Sequence, residues 1–162
     1  MTKLKKNILI LTQNHNVNTD KYNCIYIGPW CKEEASKTLN WMTDSSSIKK
    51  ELEFIETLHE KIVFKLAKKL NIIHNTTYSN EYWRILLGSW LFSAIGVFSD
   101  RINALEYAFK NRRVDFILMQ SNLRNFIPKN SYHFLKLSDE LDEYNQYLFS
   151  RILEELFSDK NI

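Results

Sequence analysis

The stretch from Tyr82 to Arg101 constrains the fold more than any other part of the chain. It reads Tyr-Trp-Arg-Ile-Leu-Leu-Gly-Ser-Trp-Leu-Phe-Ser-Ala-Ile-Gly-Val-Phe-Ser-Asp-Arg, and no charge interrupts it between Arg84 and Asp100. A bilayer-spanning helix needs roughly 20 predominantly apolar residues, and shorter runs closed by charges at both ends are more often core helices. The run is therefore read as a buried helix and not as a membrane span. Ser79 or Asn80 can cap it, Glu81 suits its first turn, and it extends to about Asn111. At 100° per residue, Ile85, Leu86, Leu87, Leu91, Phe92, Ile95 and Val97 point in every direction, the pattern of a helix buried all round. Ser89, Ser93, Gly96 and Asp100 share one narrow arc, which would admit a neighbouring backbone or a ligand. Trp83, Trp90 and Arg101 share another. A mid-helix glycine costs about 1 kcal/mol against alanine, so Gly88 and Gly96 are expected to have packing or functional reasons.

The remaining segments arrange themselves around that helix. Asn7–Thr12 and Cys24–Ile27 read as short strands, the second ended by the turn signal Gly28-Pro29. Ser36–Trp41 suggests a third. Ile48, Leu52, Ile55, Leu58, Ile62, Leu66 and Leu70 recur at helical spacing after the cap-rich segment Thr43–Ser47. Val114–Met119 reads as a strand or a short helix, and Ser121–Tyr132 as a loop. Ser138 can cap a last helix whose buried face is Leu141, Tyr144, Leu148, Ile152 and Leu156. With only 3 glycines and 2 prolines, an all-β design is disfavoured. The expected fold is α/β and helix-rich: a small, mostly parallel sheet from the early strands packed on a long central buried helix (about 81–110), in a single domain over residues 1–162.

Composition excludes several classes. The net charge is +3 and the basic residues are scattered, so no nucleic-acid surface is implied. Nothing resembles a secretory leader, and Cys24 and Cys31 read as reduced thiols of a cytoplasmic protein. His59 and His74 read as surface or hydrogen-bonded structural histidines. The 2 cysteines and 4 isolated histidines do not make a zinc site. No phosphate loop, dinucleotide fingerprint or nucleophile elbow is present, so neither metal nor cofactor is expected.

Three groups of residues remain as candidates. Gly28-Pro29-Trp30-Cys31 follows a strand, and it is either a cleft loop with Trp30 as an apolar platform and Cys31 at its edge, or a tight turn with a core tryptophan. Arg84, Asp100 and Arg101 either clamp an anion or anchor the helix ends by ion pairs. Trp83 and Trp90 lie seven apart on one helix face and suit core packing more than sugar stacking.

Together these motifs carry a resemblance. Tyr82-Trp-Arg-Ile-Leu-Leu-Gly-Ser-Trp-Leu91 followed by Asp100-Arg101 resembles the signature of the LIC12162 family of surface-carbohydrate (O-antigen) transferases. Ile8–Thr12, Tyr26-Ile-Gly-Pro-Trp-Cys31, Leu70-Asn71-x-x-His74, and Asp139, Asp142 and Asn145 fall in the family's order, so the likeness runs from about residue 7 to 155. Ser89 stands where the family usually has proline, which implies a straighter helix or a kink left to Gly88.

The resemblance implies the N-terminal, acceptor-side domain of a longer two-domain (GT-B-like) transferase, not catalytically complete alone. It implies a nucleotide-sugar-binding transferase half as partner and a carbohydrate or lipid-linked acceptor. It implies a cytoplasmic location, peripheral at the inner face of the membrane. Gly28, Trp30, Cys31, Tyr82, Trp83, Arg84, Gly88, Trp90, Asp100 and Arg101 become candidate cleft or substrate-binding positions; no catalytic base is implied. The rival expectation is a non-enzymatic interaction module that docks a partner through its apolar helix.

Overall fold

The computed structural model describes residues 5–13, 17, 20–31, 39, 44–119 and 126–157. In chain order these form strand β1 (Lys6–Ile10), strand β2 (Tyr22–Tyr26), a one-turn 3-10 helix (Pro29–Cys31) and helices α1 (Ser45–His74) and α2 (Asn80–Asn111). Strand β3 (Phe116–Leu118) and helices α3 (Ser131–Glu140) and α4 (Asp142–Leu156) follow. The expected α/β, helix-rich class is what is found. The suggested strand at Ser36–Trp41 falls outside the described residues, apart from Leu39, whose N–H donates to Tyr26 O at 3.0 Å. The chain divides into two compact units, Met1–Trp41 with Asp100–Ile162, and Met42–Ser99.

The first unit holds the sheet, in the order β2-β1-β3, with both pairs parallel. β1 is central because Ile8, Leu9 and Ile10 are all buried, the unbroken apolar run that a strand covered on both faces requires. Ile8 stands opposite Cys24 on one side and Phe116 on the other. β3, left open between strand and helix by the sequence, is a strand, and a polar latch fixes its register. Asn7 N–H donates to the Asp115 carboxylate at 2.8 Å, Asp115 N–H donates back to Asn7 O at 3.0 Å, and Asn7 Nδ2 reaches Arg113 O at 2.8 Å. The Asn7 N–H holds the Asp115 carboxyl below its ordinary range.

Beside the sheet, Leu9, Leu11 and Ile27 pack with Ala104, Leu105 and Ala108 of α2 and Phe149 and Ile152 of α4. Ser138 corrects the sequence reading. It does not cap the last helix but lies buried inside α3, bonding back to Phe134 O at 2.8 Å. Asn130 is the cap of α3, accepting from His133 N–H at 2.8 Å. α4 starts at Asp142 behind Leu141, without a side-chain cap. Of its expected face, Tyr144, Leu148 and Ile152 are buried, while Leu156 is exposed.

The second unit is an αα-hairpin of α1 and the first part of α2. Asp44 caps α1 through the N–H groups of Ser46 and Ser47, both at 2.9 Å, and these bonds hold its carboxyl down at about 2. Ser79 caps α2, as expected, accepting from Tyr82 N–H at 3.2 Å. The buried stripe of α1 is Ile55, His59, Val63 and Ala67, flanked by Leu58, Ile62 and Leu66. This is rotated from the expected line: Ile48 and Leu52 are exposed.

α2 supplies the larger correction. Within this unit it is not buried all round, because among the described residues it meets α1 alone and one neighbour can cover only one side of a helix. Trp83, Leu91, Ala94 and Ile95 are buried, but Ile85 is 86% and Leu86 60% exposed, and Tyr82 and Phe92 stand on the same open side. By length and composition α2 could cross a bilayer, and only 22% of its most apolar window is buried. Gly96 also lies on this side, and a Cβ added there meets nothing within 4 Å among the described residues. The expected packing reason is therefore absent. Replacing Gly96 by alanine should raise stability by about 1 kcal/mol, measured as a higher urea midpoint at unchanged slope.

Candidate functional site

Five of the ten candidate residues meet in the first unit, beyond the carboxyl ends of β1 and β2. The 3-10 turn closes on itself through Cys31 N–H to Gly28 O at 3.0 Å. Trp30 then folds back across Gly28: a Cβ at residue 28 would lie 2.5 and 2.7 Å from Cζ3 and Cε3 of the indole. Any side chain at residue 28 would expel the ring. Trp30 Nε1 donates to Leu11 O at 3.0 Å, and Cys31 Sγ reaches Ile10 O at 3.4 Å, so the turn is tied to the end of the central strand. Burial pushes the Cys31 thiol up to about 11, which makes it a neutral, inert group near neutral pH. Both cysteines are free thiols, as expected.

Arg101 joins this turn to α4. Its guanidinium carbon lies 4.9 Å from the Trp30 ring centroid and 5.9 Å from that of Phe149. Its Nε and Nη2 donate to Asn145 Oδ1 at 3.3 and 3.0 Å, and Nη1 pairs with the Asp100 carboxylate. Asn145 is itself fixed, since its Nδ2 donates to Ser138 O at 2.8 Å and to Leu141 O at 3.3 Å. Next to it, Gln146 Nε2 donates to Thr12 Oγ1 at 2.9 Å, again at the end of β1.

The ensemble is an aromatic-backed guanidinium with its charge matched by a neighbouring carboxylate. The Asp100 side chain is 26% exposed against 13% for Arg101, so the carboxylate is the more accessible charge. Of the two readings of Gly28–Cys31, the geometry is that of a tight turn whose tryptophan is engaged by Arg101, and Cys31 is enclosed beneath it. Of the two readings of Arg101, it is an anchor.

The other five candidates belong to the hairpin unit and have local partners there. Arg84 pairs with Glu60, both side chains about half exposed, a surface pair worth at most about 1 kcal/mol. Gly88 O faces His59 Nε2 at 3.1 Å, and the His59 ring stands edge-on to Phe92. His59 is thus a buried, hydrogen-bonded structural residue. A Cβ at Gly88 would make only ordinary contacts, at 3.6 Å to Arg84 Cγ and His59 Nε2. Trp90 packs on the Ile55, Val63, Leu91 and Ile95 cluster.

Trp83 belongs to the hairpin corner, with Tyr82 edge-on to it. Asn71 Oδ1 accepts from Trp83 Nε1 at 3.0 Å, Thr76 Oγ1 at 3.0 Å and Tyr78 N–H at 3.1 Å, while Asn71 Nδ2 donates to Tyr78 O at 2.8 Å. His74 stacks on Trp83 with ring centroids 6.0 Å apart. Asn71, His74 and Trp83, separate motifs in the sequence, therefore form one structural corner.

A protein-family model described as LIC12162 family transferase matches residues 7–161. The chain belongs to this family. No curated protein and no solved structure matches it. Within this LIC12162 family transferase, sequence reasoning missed Thr12 and Gln146 as parts of the strand-end cluster, and placed Asn145 only in a motif. Asn145 had a signal, since an amide inside the apolar stripe Tyr144, Leu148, Ile152 must find buried partners, whereas Gln146 falls on the side of the helix away from that stripe. Thr12 had none beyond its place at the end of the first strand. Among the described residues no group of three or more His, Cys, Asp or Glu side chains could hold a metal ion.

Proposed function

We propose that this family transferase acts in surface-carbohydrate (O-antigen) synthesis, where it forms the acceptor side of the cleft and works with a nucleotide-sugar-binding half. The observation that carries the reading within the chain is the meeting of Trp30, Asp100 and Arg101 beyond the carboxyl ends of two parallel strands, the end at which open parallel sheets bind ligands. The family match over residues 7–161 supports the transferase class. In this reading the Asp100 carboxylate accepts a hydrogen bond from an acceptor hydroxyl, and Arg101, held by Asn145 and Trp30, pairs with the carboxylate and fixes its position.

The acceptor is a carbohydrate or lipid-linked carbohydrate, met in the cytoplasm at the inner face of the membrane. α2 does not span the bilayer in this reading. Arg84 with Glu60, Ser99 with Glu51, and His59 with Gly88 O tie it to α1, whose lysines would have to enter hydrocarbon with it.

The test supplies a labelled nucleotide-sugar and a glycolipid extract to the purified chain. No label should move with the chain alone, and transfer should appear once the nucleotide-sugar-binding half is added. Transfer by the chain alone, or binding of the donor in place of the acceptor, would overturn the acceptor-side assignment. A second reading, a non-enzymatic module that docks a partner through its apolar helix, is favoured by one observation, the open side of α2 bearing Tyr82, Ile85, Leu86 and Phe92. It predicts a stable complex with the partner and no change in transfer for Asp100→Asn.

A further inference from the structure

We propose that the outward face of α1 is a docking surface for an anionic lipid bilayer. Lys50, Phe54, Lys61, Lys65, Lys68 and Ile72 follow one another at intervals of four, seven, four, three and four, which sets them along one line of the helix. That line lies opposite the buried stripe of Ile55, His59, Val63 and Ala67. All six side chains are exposed, Phe54 at 55% and Ile72 at 80%. Phe64, also exposed, flanks the line, with Lys68 Nζ 4.1 Å from its ring centroid.

Along the line itself every charge is positive, and Glu53 and Glu60 lie on the flank beside Phe64. α1 has four carboxylates, and none lies on the line: Glu51 bonds Ser99, Glu53 pairs with Lys49, Glu60 pairs with Arg84, and Glu56 points to the far side. Lys50, Lys61 and Lys65 make no ion pair among the described residues. The small net charge of the whole chain thus conceals a local basic strip, because basic residues at scattered sequence positions share one helix face.

The chemistry selects the occupant. Protein interfaces are depleted of lysine at their cores, where the charge would be desolvated. Lipid headgroups leave lysine hydrated, and a lysine near an anionic leaflet contributes attraction without leaving water. Phenylalanine and isoleucine between such lysines can enter the headgroup boundary while the lysine stems lie along it. Duplex nucleic acid is matched best by bidentate guanidinium, and this line carries no arginine.

Co-sedimentation of the full chain with vesicles tests this. It should bind vesicles of phosphatidylcholine and phosphatidylglycerol (three to one), bind phosphatidylcholine alone weakly, and leave the anionic vesicles when salt is raised to about 0.5 M. The triple variant K61Q/K65Q/K68Q should lose on the order of a hundredfold in partitioning, from about fivefold per lysine. Phe54→Ser with Phe64→Ser should lose roughly tenfold while keeping the salt dependence. The salt series uses the unaltered chain, so it decides even if a variant fails to fold.

Absent binding to anionic vesicles, equal binding to neutral ones, or an unchanged triple variant of native helicity would overturn the proposal. So would retention on heparin without vesicle binding, or a dimer that the triple variant abolishes. Vesicle binding is read without any sugar substrate, so its failure and a failure of the transferase reading are separate results.

Discussion

Replacing Arg101 by alanine should cost about 3 kcal/mol of stability, the low end for breaking a largely buried charge pair. The loss has three sources. The Asp100 carboxylate loses the guanidinium that it pairs with, Asn145 Oδ1 loses the guanidinium that it accepts from twice, and the Trp30 face loses its cation. At about 2–4 °C per kcal/mol for a chain of this size, the melting temperature should fall by roughly 6–12 °C. Arg101→Lys should recover less than half of it, since an ammonium cannot reach Asp100 and Asn145 together in the guanidinium's fork geometry. A double-mutant cycle with Asn145→Ala should show coupling above about 1 kcal/mol. Arg84→Ala is the control, because its exposed pair with Glu60 should be worth at most about 1 kcal/mol. If Arg101→Ala and Arg84→Ala cost the same, the strand-end cluster is not a held structure and the proposed role of Asp100 loses its support.

Replacing Trp83 by alanine should cost about 3–5 kcal/mol, the usual range for removing a buried aromatic. Trp83 is 6% exposed, stacks with His74, and donates its indole N–H to Asn71. Trp83→Phe keeps the ring and drops that bond, and should cost about 1–2 kcal/mol. Asn71→Ala leaves three donors without their acceptor and should cost about 2–3 kcal/mol. Because the two residues share a hydrogen bond, the double variant should lose less than the sum. Amide exchange would localise the effect: the last turns of α1 and the first of α2 should lose protection while β1 keeps its own. Protection lost evenly over the chain would mean that the corner does not melt as a unit.

Much of the frame was legible because its signals are local. Ile8 to Leu11 is an unbroken apolar run and became the central strand. Ser79 sits three residues before a free helical N–H and became a cap. The long helix was read almost to its ends. Its environment was not legible, because periodicity reports how apolar each side is and not how many neighbours arrive. Ile85 and Leu86 look like core in a sequence and face outward from a two-helix hairpin. α3 was missed because Ser138-Asp139-Glu140 is a start signal wherever it occurs, and here it closes a helix that Asn130 had opened.

The candidate site divides in the same way. The resemblance picked out both Trp30 and Arg101, but their contact joins residues far apart in sequence, which no local spacing encodes. It grouped ten positions into one cleft, whereas Tyr82, Trp83, Arg84, Gly88 and Trp90 make their contacts within the hairpin. Motif membership reported that these positions matter to the family without separating those that hold the fold from those near a ligand.

The latch between Asn7 and Asp115 has a consequence for how the chain is made. It joins residues 108 apart in sequence, and the whole α1–α2 hairpin is synthesised between them. During translation the hairpin can form from neighbours already outside the ribosome, while β1 waits with one edge unfilled until β3 emerges. Contacts that close such long loops form late and slowly. The nascent chain therefore carries an apolar strand with an open edge through most of its synthesis, and that interval is when a chaperone would be needed.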